Sequence, residues 1–218
     1  VRNVESALSA GLGVQVDRRV ISVAQVRPDP EEAGAVAAAA PSAAADDAAV
    51  RAHFESAFAD RCFWDGATYV EDREDQKWPL SWRYDYSDTD ETATLYQFFC
   101  GAGAYNVQSV FYLDDPHDGP TPIPFAVPAF DVRYQDDDYE GPVESITVTG
   151  FTTDMTVTNA YFDPQDQTVN SNARWRGLGD ASSSGRWLFS MGQFVLKTYD
   201  VDASYDGEIN PERLVEYD

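Results

Sequence analysis

TLYQFFCGAGAYNVQSVFYLDD, Thr94 to Asp115, is the stretch whose reading decides the fold. Two aromatic-rich runs, Leu95–Phe99 and Tyr105–Leu113, flank a link of small residues, Gly101-Ala102-Gly103-Ala104. Tyr, Phe and Val suit a pleated, half-buried surface, and glycines between two such runs predict a hairpin turn. Alternation then places Val107, Ser109 and Phe111 on one face, and Asn106, Gln108, Val110 and Tyr112 on the other. Cys100 falls at the mouth of the turn, where a crosslink would pin the hairpin to something earlier in the chain.

Upstream, Asp46 and Asp47 are capping residues for a helix over Ala48–Arg61. Val50, Phe54, Ala57, Phe58 and Arg61 recur at helical spacing, so Phe54 and Phe58 form one apolar stripe. Before it, Glu31–Ala45 is nearly all alanine with Gly34 and Pro41, a composition that buries little and predicts a linker. Earlier still, Val14/Val16 and Ile21/Val23 fit one or two edge strands that end at Pro28-Asp29-Pro30. The expected organisation is an N-terminal segment and linker over residues 1–45 and a β-rich domain over residues 46–218. The start at Val1, without Met, suggests a processed or trimmed chain.

Phe63–Asp90 is acidic and aromatic, with Trp64, Tyr69 and Trp78. Within it Ser81–Tyr86 predicts a strand carrying Trp82, Tyr84 and Tyr86 on one face. Downstream of the hairpin, Asp114–Pro120 is a dense turn cluster. Strand-like runs follow at Phe125–Tyr134, Val143–Phe151, Met155–Phe162, Thr168–Trp175, Arg186–Ser190 and Gln193–Tyr199. Asp163-Pro164-Gln165-Asp166 and Ser190-Met191-Gly192-Gln193 have the chemistry of hairpin connections. Many short strands punctuated by turns predict an all-β fold, an antiparallel, hairpin-rich sandwich or barrel-like domain with one helix on its N-terminal side. Its core should hold Phe54, Phe58, Leu95, Phe98, Val110, Tyr112, Ile146, Val148, Val157, Phe162, Trp187 and Phe194.

CGAGAYN before a strand ending in LDD, then NAYFDP, RWRGLGDASSSGRWLF and GQFVL together resemble the bacterial domain-of-unknown-function 1176 family. The likeness runs from about Cys62 to the C-terminus and is best over Cys100–Leu113 and Ala160–Leu196. It implies an exported bacterial protein of mostly β structure with no established activity, hence a periplasmic or secreted location. It also implies a cysteine pair whose places here hold Ala181, in Gly179-Asp180-Ala181, and Tyr205, in Tyr205-Asp206-Gly207. Their joint absence fits two cysteines that bond to each other, and leaves Cys62–Cys100 as the retained bridge.

Composition bounds the partners. The 218 residues include 12 Tyr, 12 Phe and 5 Trp, enough for a real core, and carry a net charge of −23. That charge excludes nucleic acid and anionic membrane, which need a positive footprint. No apolar run is long enough to insert in a membrane. A strongly hydrated surface, suited to salty surroundings, accounts for the charge, and a docking surface for a basic protein is the sharper alternative. Cys62 and Cys100 leave a choice between two buried thiols and one disulfide. We read a disulfide, which would close a loop of about 38 residues, contribute about 3–4 kcal/mol and persist outside the cytosol.

Asp202, Ser204 and Asp206 take positions 1, 3 and 5 of a calcium loop, with Gly207 at the sharp turn. Position 12, where a bidentate Glu belongs, is Arg213, and Glu212 comes one residue early, so an acidic turn that mimics the motif competes with calcium. Asp114, Asp115, Asp118 and the run Asp136–Asp138 could also chelate calcium, though charge runs are usually solvated faces. His53, Cys62, Cys100 and His117 lack the paired spacing of a structural zinc site. No nucleophile elbow surrounds Ser182–Ser184. Gly101-Ala102-Gly103 is no dinucleotide loop, because a strand follows it. No catalytic residue is assigned. Trp78, Trp82, Trp175 and Trp187 fit either a sugar-stacking platform or core packing, of which core packing is the commoner fate. The functional expectation is a non-enzymatic, extracytoplasmic binding or interaction module for a basic protein or a glycan. Its alternative is a hydrolase of envelope polysaccharide acting through an Asp/Glu pair.

Overall fold

The computed structural model describes residues 47–62 and 74–218. The expected N-terminal strands, the Ala-rich linker, the Asp46 cap, and Trp64 and Tyr69 lie outside them, as does the boundary at residues 45 and 46. The described elements begin with α1 (Asp47–Ala57), β1 (Gln76–Trp82), β2 (Glu91–Ala102) and β3 (Val107–Asp115). β2 and β3 form the expected hairpin, in antiparallel register from Thr94 opposite Asp114 to Ala102 opposite Val107. The register shifts between Phe99 and Gly101.

Both faces of this hairpin are covered, which explains why its sequence is a near-continuous apolar run. Tyr96, Phe98, Val110 and Tyr112 point to the face where α1 lies and pack with Val50, Phe54 and Phe58. The Phe54 and Phe98 rings stack 4.6 Å apart. Full burial of side chains of this size stabilises by about 1.5–3 kcal/mol each. Tyr96 donates to the Asp47 carboxylate at 2.9 Å, fixing the start of the helix on β2. At the other end, Cys62 and Cys100 form the expected disulfide, with their Cα atoms 4.5 Å apart. The helix is shorter than Ala48–Arg61: Phe58–Arg61 is a turn, closed by Phe58 and Cys62 N–H groups donating to the carbonyls of Phe54 and Phe58.

The chain continues through β4 (Gly119–Pro122), β5 (Phe125–Tyr134), β6 (Val143–Asp154), β7 (Val157–Thr158) and β8 (Tyr161–Asp163). β9 (Thr168–Arg174), β10 (Ser182–Ser190), β11 (Gln193–Asp202) and β12 (Glu212–Glu216) complete it. One sheet has the order β1-β2-β3-β4, with β7 also on β3. A second has the order β12-β11-β10-β9-β8, and β5 and β6 form a two-stranded ribbon. Leu95 and Phe111 from the first sheet, Phe125 from the ribbon, and Val169, Trp187 and Phe194 from the second share one core. Among the described residues the domain is therefore all-β, two antiparallel sheets and a ribbon sharing one core, with one α-helix packed on the first sheet.

Several expectations need correction. Ser81–Tyr86 is not a strand: β1 ends at Trp82, and Tyr84 begins a turn closed by the Ser87 N–H on its carbonyl, at 2.9 Å. Met155–Phe162 is two strands, because Asn159 adopts a positive φ of 47° and sends β7 to the first sheet and β8 to the second. Ile146 and Val148 are only half-buried, since the β5–β6 ribbon is exposed along much of its length. β4 and β12 lie where no strand was expected. β4 is the proline-bearing edge strand Gly119-Pro120-Thr121-Pro122, at a place where missing backbone donors are tolerated.

Among the described residues Trp187 is the largest fully buried side chain. Its indole folds back over Gly185, where an added Cβ would lie 2.3 Å from the ring, and its Nε1 donates to the Ala126 carbonyl at 2.7 Å. A bulge between Arg186 and Trp187 aims the ring inward.

Candidate binding surface

The turn cluster Asp115–Gly119 returns the chain along β3 as β4, and the next residues cross toward the β10–β11 turn. Between them lies a pocket of about 280 Å³. Leu113, Ile123 and Phe194 contribute apolar surface, Pro122 and Pro124 stiff walls, and Asp115 and Asp118 carboxylates. No Lys or Arg lines it. Asp115 is fixed in place because its Oδ1 accepts the N–H groups of His117 at 2.8 Å and Asp118 at 3.0 Å.

The far wall is the β10–β11 turn, where Met191 and Gly192 have positive φ values of 51° and 82°. Behind Gly192 stands Trp82, close enough that a Cβ there would lie 3.1 Å from its ring. The Tyr84 hydroxyl is 3.4 Å from the Met191 carbonyl, and the Tyr84 ring stacks on Tyr86 at 5.2 Å and 7°. Tyr86 is 85% exposed. An acid-lined apolar pocket and a stacked pair, half-buried Tyr84 and exposed Tyr86, thus flank one turn.

A second cleft, of about 400 Å³, lies between the start of β6 and the chain after β11. It contains all three residues of the calcium-like loop, together with Glu140, Tyr205 and Glu212. Asp202 is buried, and both its oxygens receive donors from the loop itself. Oδ1 accepts from Ser204 N–H at 3.1 Å and Ser204 Oγ at 2.7 Å, and Oδ2 accepts from Asn210 N–H at 2.5 Å. Asp206 accepts the Glu208 N–H at 2.9 Å. Among the described residues, no three His, Cys, Asp or Glu side chains gather in a group that could hold a metal ion.

This loop is held from outside by Asp180, a residue that sequence reasoning did not single out for a role. Asp180 is buried, pairs with Arg176, and accepts the Gly207 N–H at 2.8 Å. Arg176 also donates to the Tyr205 carbonyl at 2.8 Å and lies over the Tyr205 ring. The Arg176 hydrogen bond, aided by backbone donors, holds the Asp180 carboxyl well below the usual range. The two places where the family resemblance implies cysteines, Ala181 and Tyr205, therefore sit on adjoining loops joined by hydrogen bonds from the Arg176–Asp180 pair to Tyr205 and Gly207. The signal available in the sequence was Arg176 and Asp180 four residues apart around Gly177 and Gly179.

The tryptophans are distributed. Trp78 lies 5.1 Å from Phe162, and Trp82 meets Phe189 edge-on at 5.4 Å. Trp175 stacks on Phe130 at 6.3 Å, its indole Nε1 donates to Ser183 Oγ at 3.4 Å, and its backbone N–H donates to the Ala181 carbonyl at 2.9 Å. The carboxyls of Asp47, Asp90, Asp166 and Asp180 are held below their ordinary pKa. At each the leading cause is a side-chain hydrogen bond, from Lys77, Arg83, Thr168 and Arg176 respectively.

A family model described as "Protein of unknown function (DUF1176)" matches residues 17–208. The chain belongs to this family. Membership agrees with the resemblance seen in CGAGAYN and the RWRGLGDASSSGRWLF segment. No curated protein and no solved structure matches the chain. Among the described residues, no helix is long and apolar enough to cross a membrane.

Proposed function

We propose that this DUF1176 protein is a non-enzymatic binding module that works outside the cytoplasm and takes a basic protein partner at the pocket between β4 and the β10–β11 turn. The observation that carries this reading is the make-up of the pocket, with apolar surface from Ile123 and Phe194, carboxylates from Asp115 and Asp118, and no basic lining residue. A lysine or arginine side chain matches it, because its aliphatic stem buries along apolar surface while its charged head stays with carboxylates and water. The Tyr84–Tyr86 pair on the other side of the turn offers ring faces to a second cation. The net charge of −23 would steer such a partner inward. The disulfide supports a place outside the cytosol.

A hydrolase of envelope polysaccharide is the competing reading. It would need a carboxyl held protonated near neutral pH, whereas Asp47, Asp90, Asp166 and Asp180 are shifted the opposite way. The contacts of Trp78, Trp82 and Trp175 with Phe162, Phe189 and Phe130 favour core packing over a sugar platform.

Calorimetric titration with acetylated hexalysine amide tests the proposal. Binding should weaken with salt and fall about tenfold in Asp115→Asn/Asp118→Asn, the scale of one lost charge-assisted hydrogen bond. Asparagine keeps the Oδ1 that closes the turn, so the fold is retained. Undetectable binding, or equal affinity in the double variant, would contradict it.

A further inference from the structure

Edge strands present unpaired backbone donors and acceptors, and folded proteins blunt them with proline, charge or shortness. Among the described residues, most edges are short or carry a proline or a basic side chain. β1 carries Lys77 and Pro79, and β4 carries Pro120 and Pro122. β8 has three residues and runs into Pro164, while β12 has five and follows Pro211. β5, at the other side of the ribbon, contains Pro128 and Arg133.

β6 is the least guarded of them: it carries two acids, Glu144 and Asp154, and register shifts against β5 at Ala129/Phe130 and Arg133/Tyr134. It is twelve residues long, VESITVTGFTTD, with no proline and no lysine or arginine. Among the described residues it pairs only with β5. Its residues Phe151 to Asp154 are all exposed, and Phe151 is 52% exposed. Thr, Val, Ile and Phe are strand formers, so the edge is preshaped for a further strand.

Charge selects the occupant. β6 has Glu144 near one end and Asp154 at the other, and Asp136, Asp137, Asp138 and Glu140 lie in the connection from β5. A second copy of a chain with net charge −23 would be repelled, whereas a cationic chain would be attracted. We propose that the free edge of β6 accepts an extended, lysine- or arginine-flanked segment of another protein as an added strand. Main-chain hydrogen bonds then supply affinity, and the flanking acids set the choice of partner. The inference rests on the proposed basic partner and adds a second contact, on a different element from the pocket.

The test uses the whole chain and the peptide acetyl-KKTVTVTKK-amide, read by amide exchange in NMR and by titration. Alternate β6 amides between Gly150 and Asp154, which lie in continuous register with β5, should gain protection. Peptide N-methylated along one edge should bind about tenfold more weakly, as expected for losing one or two hydrogen bonds, and peptide methylated along the other edge should not. Thr147→Lys and Thr152→Lys, both at exposed positions, should weaken binding, and the corresponding Glu variants should not. Protection confined to Leu113–Pro124 would overturn this inference and leave the pocket proposal standing. Failure of every cationic peptide to bind would remove both. Equal binding of a peptide with serine in place of lysine would overturn the charge selection, and dimerisation through β6 that the peptide competes away would make a second copy the occupant.

Discussion

Asn159 Nδ2 lies 2.9 Å from Asn106 Oδ1, and this hydrogen bond sits on the seam between the two sheets. Asn159 also donates to the Asn172 carbonyl and accepts the Val107 N–H, both at 2.8 Å. Asn106 in turn donates to the Arg174 carbonyl at 2.7 Å and accepts the Arg174 N–H at 3.1 Å. The pair thus joins the β3 end of the first sheet to β9 of the second, at the residue where β7 gives way to β8.

Substitution of Asn159 should open that seam. Asn159→Gly keeps the positive φ and removes the side-chain bonds, which should cost about 1–3 kcal/mol in urea denaturation. Asn159→Ala should cost roughly another 1 kcal/mol, because alanine is strained in that backbone conformation. A glycine variant as stable as the parent would show that the seam is held by packing alone.

The hairpin, the aromatic stripe of α1 and most of the second sheet were legible because each rests on local pattern. Tyr, Phe and Val alternate around a glycine link, and Phe54 and Phe58 recur one helical turn apart. The sheet switch at Asn159 was not legible, since its cause is a set of bonds to residues more than 50 positions earlier. β4 was hidden by its prolines, which forbid a central strand and are tolerated at an edge. The pocket was hidden too: Asp115 and Asp118 read as a solvated turn until the fold sets Phe194 beside them. The calcium-like spacing of Asp202, Ser204 and Asp206 was visible, but not the donors that engage Asp202.

The disulfide joins the segment after α1 to the bulge of the central hairpin. Titration of the denatured, non-reduced protein should find no free thiol. Cys62→Ser/Cys100→Ser should lower stability by about 3–4 kcal/mol, the scale expected for this loop length. Two titratable thiols in protein from an oxidising compartment would contradict the pairing.

Acid should loosen the loops that Asp180 fastens. Its folded pKa lies below the unfolded value, so its contribution is fully present above an unfolded carboxyl pKa of about 3.9 and is lost as pH falls toward the folded value. The melting temperature of the parent should therefore fall more steeply from pH 5 down to pH 2 than that of Asp180→Asn. Parallel slopes would assign the acid sensitivity elsewhere.

Calcium should bind weakly, if measurable, at Asp202–Gly207, in the range of extracellular modules at about 10⁻⁴–10⁻³ M. A cation would have to displace donors from Ser204 and Asn210 that already engage both Asp202 oxygens. Chelator should leave the melting temperature unchanged. Micromolar affinity that vanishes in Asp202→Ala would contradict this.

The claim that a basic side chain enters the pocket is tested most directly by nitrogen-15 chemical-shift mapping of the whole chain with N-acetyl-lysinamide. The account predicts that the largest changes fall on Leu113, Asp115, Asp118, Ile123 and Gly192, and that they disappear in Asp115→Asn/Asp118→Asn. Changes centred instead on the Asp202–Asp206 cleft, or a spectrum that does not move at saturating ligand, would contradict it.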